Sequence, residues 1–242
     1  MNYSDNKRLL GDVRRATEKY GMIEENDLVA VGLSGGKDSL ALLTLLCSMR
    51  EFYPVPFRVC ALTVDAGFPG SDFSPLDALC RSLGVEYSVI KTDIAKIVFD
   101  VRKEENPCSL CSRMRRGALV SEAEKSGATK LALGHHFDDV VETFIMNLTF
   151  EGRLGTFSPV TRLDGRAVSV IRPMIYAKEK DIKTYLKKNP ALLPLPSLCP
   201  EDKHTERENV KALLAEQERL HRGVKRRIFK AIEKGGIDGF RE

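Results

Sequence analysis

Leu28-Val29-Ala30-Val31-Gly32-Leu33-Ser34-Gly35-Gly36-Lys37-Asp38-Ser39-Leu40-Ala41-Leu42-Leu43 is the stretch whose reading decides the fold. An apolar run ends at a pair of glycines, and a second apolar run of helical length begins just after them. That order reads as a buried strand, a tight turn and a helix N-terminus. Such a turn presents free backbone N–H groups, and the helix dipole adds partial positive charge at the same point, so it suits a phosphate chain. The glycines let the backbone approach an anion closely, and Lys37 adds a full charge. The pattern is not Walker A, in which Gly-Lys-Ser/Thr puts a hydroxyl on magnesium, because Asp38 separates Lys37 from Ser39. A turn that merely joined two elements would have no need of Ser34, Lys37, Asp38 and Ser39 together.

Outward from this turn the chain alternates strand and helix. The patterning predicts strands over 27–33, 57–64, 85–91 and 129–134, and helices over 38–50, 75–83, 109–126 and 138–149. An amphipathic helix over 5–20, ended by Gly21, precedes them. The fold class expected is a Rossmann-like α/β domain, a parallel sheet with helices on both faces. Ligands of such sheets sit outside the carboxyl ends of the strands, at a switch point. Ser34, Asp65 and His135 all fall at those ends and so should share one site. Beyond Glu151 a short hairpin over 160–171 should turn at Asp164-Gly165, and a helix should follow over 178–188. A proline-rich stretch from Asn189 to Pro200 then breaks regular structure, and residues 205–234 read as helical, polar and basic. The expected division is a nucleotide-binding domain with its N-terminal helix over 1–188, then a loop carrying Cys199 and a basic helical tail over 189–242.

Composition bounds the function. Of 242 residues, 43% are hydrophobic and 30% charged, as in an ordinary globular protein. No apolar run approaches the roughly 20 residues that span a membrane. The polar start Met1-Asn2-Tyr3-Ser4-Asp5 does not resemble a signal peptide, so a cytoplasmic location is expected. The net charge of +4 is modest but unevenly spread: seven Lys or Arg lie between Arg219 and Lys234 against one acid, Glu233. Arg113, Arg115 and Arg116 form a second cluster. Such patches suit RNA, the alternative being a solvated helix face.

Three acids, Asp138, Asp139 and Glu142, open the helix that follows His135-His136. They could simply complement the helix N-terminus. The functional reading has Asp38 and one of these acids, taken as Asp139, hold Mg²⁺, which favours a few carboxylates plus substrate oxygens. Lys37 and the metal would then stabilise a departing pyrophosphate by electrostatics. Asp65 reads either as a nucleotide contact or as a turn aspartate.

Of six cysteines, Cys47, Cys60 and Cys80 lie in apolar runs and read as core thiols. Cys108 and Cys111 form a C-x-x-C at a helix start, where the helix end and the three arginines should lower their thiol pKa values from about 8.5. Alone, the pair fits zinc, an iron–sulfur cluster or a dithiol couple. Structural zinc normally takes four ligands, and there is no second pair. Cys199 is the remaining candidate for a third thiolate.

Ser34–Ser39 resembles the PP-loop of ATP pyrophosphatases, which cut ATP between its α and β phosphates. With Gly67-Phe68-Pro69, Cys108-Ser-Leu-Cys-Ser-Arg-Met-Arg-Arg-Gly117, Gly127–His136, Asp138-Asp139, Ile171-Arg-Pro173, Glu179-Lys-Asp-Ile182 and Leu198-Cys199, the chain resembles the tRNA 2-thiocytidine synthetases. That resemblance implies ATP held by Leu33, Ser34, Gly35, Gly36, Lys37, Asp38, Ser39, Asp65, Gly134, His135 and Asp139. It implies catalytic roles for Lys37, Asp38, Asp139, Cys108 and Cys111, and a [4Fe-4S] cluster on Cys108, Cys111 and Cys199. The base would be adenylated on its C2 oxygen and the oxygen then replaced by sulfur, taken from a cysteine desulfurase or free sulfide. Arg113, Arg115, Arg116, Arg226 and Arg227 would meet tRNA; a homodimer is left open. Family members carry Gly-Ser after this last cysteine and a second cysteine where Pro196 stands, so Cys199 must serve as the third ligand. Competing readings are a cluster-free persulfide relay, a lysidine synthetase, which needs no Cys108 and Cys111, and a nucleotide- and metal-binding regulator without turnover.

Overall fold

The computed structural model describes residues 7–103, 107–201 and 206–242. Helix α1 (Lys7–Tyr20) leads into β1 (Leu28–Gly32), α2 (Lys37–Met49), β2 (Arg58–Asp65), α3 (Ser74–Ser82) and β3 (Glu86–Lys91). Next come α4 (Pro107–Lys125), β4 (Lys130–Ala132), α5 (Phe137–Phe150), β5 (Val160–Arg162), β6 (Ser169–Ile171) and α6 (Glu179–Lys188). Helices α7 (Glu206–Leu220) and α8 (Val224–Lys234) complete the chain apart from a short terminal turn.

The six strands form one sheet in the order β3-β2-β1-β4-β6-β5. All neighbours are parallel except the β5–β6 hairpin, where Thr161 faces Val170. Alternation along β1 explains the layering. Val29 and Val31 enter the large apolar cluster with α1, α2 and α5, while Leu28 and Ala30 join Val120 and Ala123 of α4 on the other face. The expected α/β class with helices on both faces is therefore what forms. Because β2 and β4 flank β1 on opposite sides, the switch point lies between β1 and β4, and a crevice opens beyond their carboxyl ends.

Two differences from expectation matter. A π-helical turn over Lys96–Val101, absent from the sequence reading, packs Val98 into a small apolar cluster that also receives Cys111 and Met114. The basic tail is two helices, broken before Val224. Glu218 accepts the Gly223 and Lys225 N–H groups at 2.7 and 3.1 Å and so satisfies the first turn of α8. Phe229 and Ile232 of α8 are buried in the main cluster, with Phe229 stacked on Phe137 at 4.8 Å. Burial of a side chain that size contributes roughly 2–3 kcal/mol, and it ties the tail to the mouth of the crevice. The start of the expected 5–20 helix and of the 205–234 helix lie outside the described residues.

Candidate nucleotide and thiolate site

The turn after β1 is built by its own serines. Ser39 Oγ donates to the Gly36 carbonyl at 2.9 Å and meets Ser34 Oγ at 3.1 Å, and Ser34 Oγ accepts from the Gly36 N–H at 3.3 Å. Gly36 is the N-cap of α2 and offers no side chain to its first turn, so those amides stay open to an anion. Gly35 sits at φ +81°, a region L side chains avoid, and a Cβ there would meet Leu195 Cδ1 at 2.9 Å. Gly134 is required for a different reason: its Cβ would lie 3.1 Å from the Asp38 carbonyl carbon, so the β4 end could not pass the α2 start.

Lys37 is gripped by Asp38 at 2.9 Å and by Glu179 of α6 at 3.1 Å. Burial works against its charge, yet these carboxylates hold its pKa above the ordinary lysine value. Burial likewise opposes the Glu179 charge, but Lys183 and Lys37 outweigh it and bring that carboxyl down to about 2. Glu179 had no role in the sequence reading; the Glu179–Ile182 motif was its only signal.

The three acids of α5 divide their work. Asp138 turns away from the crevice, takes Lys225 of α8 at 2.8 Å and accepts the Glu179 N–H at 2.9 Å. Glu142 is buried, and burial and nearby Asp139 raise its pKa. Asp139 alone lines the crevice. Its Oδ2 accepts the His136 N–H at 2.9 Å, in a reciprocal cap with the His136 ring, and its Oδ1 takes Arg207 of α7 at 3.3 Å. Arg207 also reaches Glu142 at 3.3 Å. Thus Lys225, read beforehand as part of an RNA-binding run, is an internal counter-ion. Arg227 is also locally engaged, donating to the carbonyls of Arg222 and His221.

The crevice encloses about 390 Å³ and is lined by Leu33, Ser34, Asp38 and Ser39 from the first turn and by Gly134, His135 and Asp139 from the second. Arg115 and Arg116 of α4 close the far wall. His135 packs against Phe157 with ring centroids 4.7 Å apart and the planes tilted by 45°. Desolvation there, reinforced by the Arg172 guanidinium, lowers its imidazole to about 4, so the ring is neutral at pH 7. Two buried polar atoms of the crevice, Asp38 Oδ1 and His135 Nδ1, have no hydrogen-bond partner among the described residues. Asp65 lies outside this lining; its Oδ1 accepts the Gly67 N–H at 2.9 Å, the bond of a turn aspartate.

Cys108 and Cys111 fall within the first turn of α4, and Cys199 in the proline-rich strap. None is disulfide-bonded. The expected lowering of thiol pKa is corrected at Cys108: burial raises it, and the electrostatic proximity of Cys199, Glu201 and Cys111 raises it further. Arg115 and Arg116 of α4 line the crevice, and no arginine is among the groups that set the Cys108 pKa. Cys108 is thus within electrostatic range of both other thiols. A second cavity, of about 330 Å³, runs from Cys199 to Ser34 and shares Ser34, Val64 and Arg115 with the crevice. No three His, Cys, Asp or Glu among the described residues converge tightly enough for a single metal ion.

The PP-loop domain family model matches residues 9–191. The tRNA-cytidine(32) 2-sulfurtransferase of Pseudomonas putida (strain GB-1) is 42% identical over 230 residues, covering 94% of this chain and 82% of its own. The protein of the same name from Shewanella pealeana (strain ATCC 700345 / ANG-SQ1) is also 42% identical, over 94% of this chain and 73% of its own. The chain belongs to this PP-loop family. Among solved structures, the U34-tRNA thiolase NcsA from Methanococcus maripaludis with its [4Fe-4S] cluster is similar at a TM-score of 0.76. It is 26% identical, with 95% of this chain and 79% of that one covered. The family recognised from the motifs is thereby the family shown. Among the described residues no helix is long and apolar enough to cross a membrane.

Proposed function

We propose that this chain is an ATP-dependent tRNA thiolation enzyme that replaces the C2 oxygen of a tRNA cytidine with sulfur. The observation that carries the reading is the continuity of two cavities. The one bearing Cys199 opens onto the phosphate turn at Ser34 and Arg115. Activation and sulfur delivery at one base need both within reach.

The base C2 oxygen attacks the α-phosphorus of ATP, and the bond to pyrophosphate breaks. Sulfide then adds at C2 and AMP leaves with the oxygen, a far better departure than that of a bare carbonyl oxygen. Open amides of α2 and the Lys37 ammonium meet the growing negative charge of the β and γ phosphates, mostly by electrostatic preorganisation. Lys37 stays aimed because Glu179, at the start of α6, accepts a hydrogen bond from its ammonium. Neutral His135 and the crevice walls would take the nucleoside end of ATP.

Asp38 fits a cation better than Asp139 does, because its buried Oδ1 accepts no hydrogen bond among the described residues and lies 3.6 Å from His136 Nε2, whereas both Asp139 oxygens are engaged. Mg²⁺ held there would neutralise phosphate charge. The three thiols fit a soft metal group: their mutual repulsion at Cys108 is what bound iron would relieve, since a coordinated thiol is deprotonated outright. A [4Fe-4S] cluster on Cys108, Cys111 and Cys199 would leave one iron free of protein and so supply a seat for sulfide. A cluster-free persulfide relay through Cys108 or Cys111 is the alternative, and iron content after anaerobic purification separates the two.

In this scheme residues 1–188 bind ATP and activate the base, and residues 189–242 bring the third thiolate. Arg113, Arg115, Arg116, Arg226 and Arg227 serve as tRNA contacts. The test is anaerobic incubation of the chain with ATP, tRNA and sulfide, followed by nucleoside mass spectrometry and AMP assay. One AMP per 2-thiocytidine is expected; absence of tRNA-dependent AMP would overturn the proposal in favour of a regulator without turnover.

A further inference from the structure

We propose that the cavity between Phe68–Pro75 and the Cys199 strap seats the target base, and that Asp72 selects cytosine over uracil there. The inference rests on the thiolation reading and adds to it a specificity-determining residue.

At about 330 Å³ the cavity lies at the small end of ligand pockets, the size for one extruded nucleotide rather than a helix. It touches Ser34 of the phosphate turn on one side and Cys199 on the other, so a base within it faces both reagents. Phe68 and Phe73, each half-buried, line it with ring surface on which any base can stack. Stacking does not choose between pyrimidines. The choice requires a polar group that tells the N4 amine of cytosine from the O4 carbonyl of uracil.

Asp72 is the sole carboxylate among the described residues lining this cavity. An ionised carboxylate only accepts hydrogen bonds, so it attracts the amine of cytosine and repels the carbonyl of uracil. Hydrogen bonds from Ser74, backbone first, hold the Asp72 carboxyl below the usual range, which keeps it in that form. The same contact gives Asp72 an ordinary structural duty, since its Oδ1 accepts the Ser74 N–H at 2.9 Å at the start of α3.

Asp72→Asn separates the duties. The Ser74 contact is an Asx turn just ahead of Phe73, the N-cap of α3, and asparagine makes such a turn as well as aspartate does, so the fold and its Tm should hold. Its amide group, however, can donate to a carbonyl as well as accept. The experiment measures kcat/KM for thionucleoside formation, by mass spectrometry, on two transcripts of one tRNA carrying cytidine or uridine at the target position. The wild-type chain should prefer cytidine, and Asp72→Asn should cut that preference about 10- to 100-fold, the worth of one good base-edge contact. AMP formation on the cytidine transcript should fall with it. An unchanged cytidine-to-uridine ratio in a variant of unchanged Tm would overturn the assignment, as would a wild-type chain that takes both transcripts equally. If the wild-type chain thiolates neither transcript, the thiolation reading itself falls, a result distinguishable from failure of the Asp72 role alone.

Discussion

The phosphate turn and the proline-rich strap supply the two halves of one site by opposite means. The turn over Leu33–Ser39 is over-determined: its serines bond each other and the Gly36 backbone, and its lysine is held by two carboxylates. The strap from Asn189 to Pro200 has no helix or strand, and prolines deprive it of donors. Its Leu195 N–H instead donates to the Gly35 carbonyl at 2.9 Å, while the Leu195 side chain fills the space a Cβ on Gly35 would need. A rigid half made by local sequence thus positions a half that has no local structure of its own.

Breaking the rigid half should cost most. Asp38→Ala should lower tRNA-dependent AMP formation by about 10³-fold, the upper range for one preorganised electrostatic group, with the count of titratable thiols unchanged. Cys199→Ala breaks the strap instead: thiolation should fall at least about 100-fold while ATP affinity, by calorimetry, stays within about twofold. Equal loss of ATP binding in that variant would mean the halves are not separable. Gly35→Ala strikes the junction. Strain of roughly 1–3 kcal/mol at positive φ should lower the Tm and weaken ATP binding about tenfold, both read in one thermal-shift titration.

A smaller effect sharpens the rigid half further. His135 is lowered to about 4 from its usual 6.5, so the unfolded chain binds more protons between those values, and stability is lost as pH falls through that window. His135→Phe should flatten the decline in Tm between pH 7 and pH 4.5 by about 5 °C. The smallest effect concerns the tail. Arg226→Ala should reduce the salt slope of tRNA binding by about 1, and Arg227→Ala by less, because its guanidinium is engaged with the end of α7.

What the residues revealed in advance follows the same division. Strand β1, the glycine turn and α2 were legible because strand period, turn chemistry and helix start are encoded within sixteen neighbouring residues. The β5–β6 hairpin was legible from Asp164-Gly165. Asp139, rather than Asp138, proved to be the acid of the crevice, and spacing alone left them equivalent. What separates them is Lys225, 87 residues away, which claims Asp138. Glu179, Arg207 and Lys225 were hidden for that reason: each acts through a partner on another element, and only the folded chain pairs them. The raised thiol pKa of Cys108 was hidden because its causes, burial first and then nearness to Cys199, come from the packing of the folded chain and the strap's path, which the local sequence does not specify.

The hydrogen bond from the Leu195 N–H to the Gly35 carbonyl has a geometric consequence. From Leu195 to Cys199 the backbone runs only four residues, so the bond that anchors Leu195 to the phosphate turn also limits how far Cys199 can stray from it. The position of the thiol is thereby tied to the backbone of the phosphate turn, so the two halves of the site are kept in register by main chain rather than by side-chain packing alone.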